Sequence, residues 1–185
     1  MSNMTKQALK QALMNLLENE PLDNITVNKI AAECNVNRNT FYYHFHDIYE
    51  LLHYLLEEET RLFLSGDDPD MPWRDRYHRL YLYMKEHQKL IYHVYYSMER
   101  EYLERFLFES IHKIIVERVE SEMKGYDIPQ ARVEIFCDAI DYAYVGYFMN
   151  WIGNGMKEDL EEKFEDILHL AQVNKEAILT LLAQK

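Results

Sequence analysis

The chain has 185 residues, 48% of them apolar and 28% charged, a mix that fits a soluble globular protein with room for a second lobe. Five Gly and four Pro are too few for a sandwich or barrel with many turns, and a net charge of −12 counts, as an average, against a nucleic-acid binder. Cys34 and Cys137 stand far apart and form no CxxC pair, the N-terminus MSNMTKQALKQAL lacks the apolar core of a signal peptide, and no apolar run approaches the ~20 residues that cross a bilayer. A cytoplasmic protein without a disulfide framework is expected.

Apolar residues recur with a helical period along the whole chain, which predicts an all-α fold of about nine helices. In the first helix Leu9, Leu13, Leu16 and Leu17 share a face, with Thr5 as N-cap and Pro21 as stop. Thr26 caps a second helix carrying Val27, Ile30, Ala31 and Cys34, and Asn35-Val36-Asn37 interrupts it, Asn tolerating the left-handed conformation of a tight turn. Asn37 caps a third helix from Arg38 to Phe45, with Val36 and Phe41 spaced as a hydrophobic staple. Asp47 and Glu50 make a capping-box pattern for a fourth helix bearing Ile48, Leu51, Leu52, Leu55 and Leu62. The run Ser65 to Pro72 breaks the chain. Beyond it, Trp73 to Tyr96 reads as one helix or two with a kink, Glu99 to Lys124 as one closed by Gly125, Pro129 to about Ile152 as one stopped by Gly153-Asn154-Gly155, and Asp159 to Ala183 as the last. The expected domains are residues 1–46 and 47–185, with the helix over 47–65 bridging them.

Two short helices across a three-residue turn have the form of a helix-turn-helix, and a helical hairpin within a bundle would share that outline. The composition of the second helix separates the two. Burying it needs only Phe41 and Phe45, while Arg38, Asn39, Thr40, Tyr42, Tyr43 and His44 crowd the rest with donors where a plain surface helix would carry Glu and Lys. Arg can bond guanine O6 and N7 together, Asn can do the same for adenine N6 and N7, and the Thr methyl can meet a thymine methyl. Tyr and His donors suit phosphate oxygens, which fix register without reading sequence, and Thr26 can hold a further phosphate at its helix start.

The stretch from Ile25 to Phe45, ITVNKIAAECNVNRNTFYYHF, resembles the DNA-binding signature of the TetR family of bacterial transcription regulators, and with its flanking helices the likeness covers roughly the first 60 residues. The resemblance implies a three-helix reading head followed by a helical lobe for ligand binding and dimerisation. It implies Thr26 as phosphate-binding cap, with Asn37 opening the reading helix. Arg38, Asn39 and Thr40 fall at base-reading positions, and Tyr42, Tyr43 and His44 at backbone contacts. Asn35 stands where the family often has Gly, and His46 where it often has a phosphate-binding Lys, a change that would either weaken that grip or make it depend on pH.

The second lobe is rich in tyrosine. Core packing accounts for most such residues. An effector pocket, where the resemblance places one, would draw on Tyr81, Tyr92, Tyr95, Phe106, Tyr144 and Phe148, and would take a small aromatic or apolar molecule. Ala139, Ala143 and Gly146 form a small-residue stripe, and Phe164, Ile167, Ala171 and Ile178 lie in helical phase on the last helix. The resemblance implies a homodimer through these two helices, reading a pseudo-palindromic operator in double-stranded DNA. No i, i+4 His pair or His-Glu-x-x-His occurs, and His112 and Cys137 fall on different helices, so neither a metal nor a cofactor is expected. No phosphate loop or nucleophile motif marks an enzyme. The expected function is a ligand-responsive repressor. The alternative is an activator or co-regulator whose second lobe binds a protein instead of a small molecule.

The charge is unevenly placed. Residues 1–46 hold Lys6, Lys10, Lys29 and Arg38 against Glu18, Glu20, Asp23 and Glu33, and so are neutral. The net −12 all lies in residues 47–185, away from the expected phosphate contacts.

Overall fold

The computed structural model describes residues 2–64, 71–97, 99–159 and 163. Among them are eight α-helices: α1 (Ser2–Leu17), α2 (Val27–Glu33), α3 (Arg38–His44), α4 (Ile48–Leu64), α5 (Trp73–Glu86), α6 (Gln88–Tyr95), α7 (Arg100–Glu122) and α8 (Gln130–Gly153). A short 3-10 turn covers Leu22–Asn24, and no strand occurs among the described residues. The expected last helix, with Phe164, Ile167, Ala171 and Ile178, lies outside them. The chain forms two compact units, one joining Met1–Met71 to Leu82–Leu103 and the other joining Pro72–Tyr81 to Glu104–Lys185.

In the first unit α1 is the central element, packing on α2, α3, α4 and α6. Leu9, Leu13 and Leu17 of α1 are fully buried, as are Leu51, Leu52 and Leu55 of α4. At about 1.5–3 kcal/mol for each buried Leu side chain, this stripe is the main adhesive of the unit. Leu16 is only half-buried, at the stripe's margin. Helix α1 starts at Ser2, ahead of the expected cap Thr5, because Asn3 and Met4 carry nothing that blocks helix. It ends at Leu17, four residues before Pro21, which instead precedes the 3-10 turn.

Polar groups inside this unit are matched across helices. Lys10 Nζ donates to Glu59 Oε1 at 2.6 Å, joining α1 to α4 with both side chains nearly buried. The Tyr83 hydroxyl lies beside the same carboxylate, and burial first, then Glu59, push its pKa upward. The region from Trp73 to Tyr96 is two helices, broken at His87, whose Nδ1 lies 3.1 Å from Glu18 Oε1. His93 Nδ1 donates to the Leu17 carbonyl at 2.6 Å, satisfying an acceptor that the end of α1 leaves open.

In the second unit Leu107, Ile111, Ile114, Ile115 and Val119 of α7 are buried, as are Val133, Tyr144, Val145, Phe148 and Ile152 of α8. Helix α8 ends on two left-handed residues, Gly155 with φ +75° and Met156 with φ +54°. The Gly155 N–H donates to Ile152 O and the Met156 N–H to Trp151 O, both at 2.9 Å, closing the paired-bond helix stop. Trp151 Nε1 donates to Glu158 O at 2.8 Å, and the Tyr81 hydroxyl to Asp159 Oδ1 at 3.0 Å.

Candidate DNA interface

Local bonds set the helix-turn-helix. Thr26 is extended, with φ −125° and ψ 156°, and its Oγ1 accepts from the Lys29 N–H at 3.3 Å. The cap uses the hydroxyl only as an acceptor, so an exposed Thr26 can cap α2 and donate to a phosphate together. At the other end Asn35 takes φ +54°. The Val36 N–H reaches Ala31 O at 2.8 Å and the Asn35 N–H reaches Ala32 O at 3.2 Å, the two bonds of a left-handed helix stop. An unbranched β-carbon with a short polar side chain is what lets Asn stand where Gly is more usual.

Two residues later Asn37 is extended again, and its Oδ1 accepts from both the Thr40 N–H at 2.8 Å and the Thr40 hydroxyl at 3.1 Å. Helix α3 is anchored by Phe41, which is fully buried, and ends on Phe45, also buried. Their rings are 6.1 Å apart, and Phe45 packs 5.4 Å from the ring of Tyr54 on α4. Lys6 of α1 lies over both Phe45 and Tyr54, at 5.4 and 5.5 Å. Asp47 Oδ1 then accepts the Glu50 N–H at 2.8 Å to start α4, while Glu50 Oε2 accepts from the His46 N–H at 2.5 Å. The expected capping box is thus present with its return bond shifted by one residue, which fixes the backbone at His46.

With Phe41 and Phe45 turned inward, α3 presents Arg38, Asn39, Tyr42 and Tyr43 outward, and Tyr43 is 81% exposed. Arg38 Nη2 donates to the Tyr42 hydroxyl at 3.0 Å, with the guanidinium 5.3 Å from the ring centroid. Thr40 and His44 are half-buried, His44 edge-on to Tyr43 at 5.0 Å, and His46 is exposed. Thr26, Asn37, Arg38, Asn39, Thr40, Tyr42, Tyr43, His44 and His46 all belong to the first unit, within one run of 21 residues.

The cations of residues 1–46 are each engaged. Lys10 is buried against Glu59, and Lys29 Nζ pairs with Glu20 Oε2 at 2.6 Å and also donates to Asn24 O. Lys6 rests on two aromatic rings and Arg38 on a third. Neutral donors therefore make up much of the exposed polar surface here.

The other expected site residues divide between the units. Tyr92 and Tyr95 of α6 belong to the first, where Tyr95 is buried and Tyr92 is exposed with its ring 4.5 Å from that of Tyr96. Tyr81, Phe106, Tyr144 and Phe148 belong to the second. Phe148 and Trp151 are edge-on at 6.4 Å, and Tyr81 lies 5.6 Å from Trp151. Burial raises the pKa of Tyr144, with Arg118 opposing, so its hydroxyl stays a donor. Ala139, Ala143 and Gly146 lie on an exposed face of α8 with Ile135 and Tyr142, each 69% exposed, and Tyr147. His112, on α7, is not joined by Cys137; beside it stand Asp138 and Asp141, spaced i, i+3 on α8, a partnership across two helices that no local pattern signals.

Comparison with known proteins places these features. Residues 9–55 match the family model described as bacterial regulatory proteins, tetR family. Residues 72–173, more than half of the chain, match one described as transcriptional regulator C-terminal region. Among solved structures, the dihydroxyacetone kinase operon activator DhaS superposes with a TM-score of 0.77 at 18% identity, over 97% of this chain and 98% of that one. A TetR transcriptional regulator from Streptococcus agalactiae superposes with a TM-score of 0.61 at 20% identity, over 99% and 96%. Likeness at this level of identity speaks for the fold. A search of curated proteins finds no match. No described helix is long and apolar enough to cross a membrane.

Proposed function

Since the chain belongs to the TetR family of bacterial regulatory proteins and is a DNA-binding transcription regulator, we propose that it works as a homodimeric, effector-responsive repressor read out through α3. The observation that carries this reading is the helix itself: two phenylalanines bury one side and leave Arg38, Asn39, Tyr42 and Tyr43 exposed on the other. Arg38, Asn39 and Thr40 would meet base edges in the major groove. Thr26, Asn37, Tyr42, Tyr43, His44 and His46 would meet the sugar–phosphate backbone and hold the register.

One helix reads only a few base pairs, so specificity calls for a second copy. The outer face of α8 supports a twofold contact, because Ile135, Tyr142 and Tyr147 are large, apolar and exposed while Ala139, Ala143 and Gly146 let another helix approach closely. Phe164, Ile167, Ala171 and Ile178 would add to it. Such a dimer sets its recognition helices about 34 Å apart or somewhat more, on a pseudo-palindrome. The aromatic group Tyr81, Phe106, Tyr144 and Phe148 of the second unit is the proposed contact set for a small aromatic or apolar effector. Its binding would bias the spacing of the reading heads.

The test is a mobility shift and footprint on the DNA upstream of the protein's own gene. A protected pseudo-palindrome is expected. Arg38→Ala should cost about 1–3 kcal/mol and relax preference at one base pair per half-site, whereas Tyr42→Phe, which deletes a phosphate donor, should weaken all sequences alike. Unchanged binding by both variants would remove α3 from the interface. The name of DhaS carries an activating sign, and transcript rising with binding at the protected site would assign that sign here.

A further inference from the structure

A cluster in the second unit takes no part in DNA reading. His112 on α7 donates from Nδ1 to Asp141 Oδ2 on α8 at 2.5 Å. Asp141 is only 3% exposed, and its other oxygen, Oδ1, is buried with no hydrogen-bond partner. Asp138 stands one turn before it on the same helix. One ligand atom from each of His112, Asp138 and Asp141 lies within 4.8 Å of the others.

A simple ion pair does not account for this grouping. His112 satisfies one oxygen of Asp141 and leaves the other without a donor in a place water does not reach, an unusual state for a buried carboxylate. Two carboxylates facing one imidazole also leave the cluster negative even when the imidazole is protonated. We propose that His112, Asp138 and Asp141 form a binding site for a divalent transition-metal ion, with Zn²⁺ the ion that the ligand set suits best.

The donor chemistry selects the class. One imidazole nitrogen and two carboxylate oxygens suit Zn²⁺, whereas Ca²⁺ and Mg²⁺ take six or more oxygens and no imidazole. Bonds of about 2.0–2.2 Å in a tetrahedron set ligand atoms roughly 3.4 Å apart, inside the span the three side chains already occupy. Asp141 is the fixed member because it is buried, and His112 and Asp138 are exposed and can move the roughly 1 Å required, the His112 imidazole backing away from Asp141 Oδ2, from which its Nδ1 is now 2.5 Å, as the ion enters. The ion would take the place of the Nδ1 proton that His112 now shares with Asp141, and that proton would leave to solvent. Three protein ligands leave the fourth position open to water or an incoming anion. The ion would bridge α7 to α8 within the second unit, and the assignment does not depend on what α3 reads.

Metal-stripped, full-length protein titrated with ZnCl₂ in a calorimeter is the direct test, with MgCl₂ in parallel. One Zn²⁺ per chain is expected, with Mg²⁺ silent. His112→Ala and Asp138→Asn change exposed side chains, so both should keep the wild-type circular dichroism while binding Zn²⁺ at least tenfold more weakly. Co²⁺ in place of Zn²⁺ should give the visible absorption of a four-coordinate nitrogen–oxygen site, lost in His112→Ala. The proposal is overturned by wild-type protein that takes up no Zn²⁺ at micromolar concentration, by folded variants that bind it as tightly as wild type, or by Mg²⁺ binding equally well.

Discussion

The pair formed by Lys10 and Glu59 makes a sharp prediction because it ties α1 to α4 beneath the reading head. The two charges are 2.6 Å apart, and their side chains are only 11% and 12% exposed. Lys10→Met removes one charge while keeping most of the stem's volume, and leaves Glu59 ionised in a poorly solvated place. Breaking a buried pair in this way costs about 3–5 kcal/mol, a large share of a total stability of roughly 5–15 kcal/mol. At about 2–4 °C per kcal/mol for a chain of this size, the melting temperature should fall by roughly 10 °C. Glu59→Leu should do similar harm, stranding Lys10. The double variant Lys10→Met/Glu59→Leu should recover most of the loss, since two apolar groups of like volume replace a pair whose attraction mainly offsets its own desolvation. Urea denaturation of the four proteins closes the cycle. If either single variant stayed within about 0.5 kcal/mol of wild type, or if the losses simply added in the double, the pair would be a solvated surface contact.

Three further outcomes follow from the same reasoning. Asn35→Gly should be neutral to slightly stabilising and Asn35→Val should lose about 1–2 kcal/mol in denaturant melts, because φ is +54° there, and equal stabilities would show that the turn is not held left-handed. Cys137 is 1% exposed with its thiol pushed up to about 11, chiefly by burial, so at pH 8 native protein should release Ellman's colour from the half-buried Cys34 first, and the reverse order would contradict that packing. With Lys10 and Lys29 engaged by Glu59 and Glu20, few cations remain per reading head, so log K should fall by only about 4 per log unit of salt, and a slope near 10 would refute the charge assignment.

How much of this was legible depends on sequence distance. Thr26 to Lys29, Asn37 to Thr40 and Asp47 to Glu50 are contacts three residues apart, governed by side-chain oxygens beside a starting helix, and all three were readable. The left-handed Asn35 was readable for the same reason, as was the burial of Phe41 and Phe45, which follows from helical phase. Thr5 misled because cap residues are permissive: a Thr inside a helix costs little when the residues before it can also be helical. Lys10 with Glu59, His93 with the Leu17 carbonyl, and His112 with Asp141 were not readable, since each joins helices whose relative placement no local pattern encodes. The metal question turned on this limit, because a search confined to one helix finds ligands only at i, i+3 or i+4 and cannot pair α7 with α8.

The contact between Arg38 and Tyr42 shows how a head with so little charge can still bind DNA in the proposed way. The Tyr42 hydroxyl accepts from Arg38, which leaves its own hydrogen free to donate to a phosphate oxygen. The guanidinium gives up one of five donors to that bond, and the remaining four include a pair able to span guanine O6 and N7. Stacking along the ring also restricts a long side chain before any DNA arrives, so less rotamer entropy is lost on binding. One i, i+4 pair would thus address a base and the backbone together. Tyr42→Phe separates the two effects: it keeps the ring under Arg38 and deletes the phosphate donor. Tyr42→Phe should therefore lose about 1 kcal/mol on every sequence while leaving the preferred base pair unchanged, and Tyr42→Ala should lose affinity and discrimination alike. Equal specificity profiles for the two variants would mean that Tyr42 acts on the backbone alone and does not preorganise Arg38.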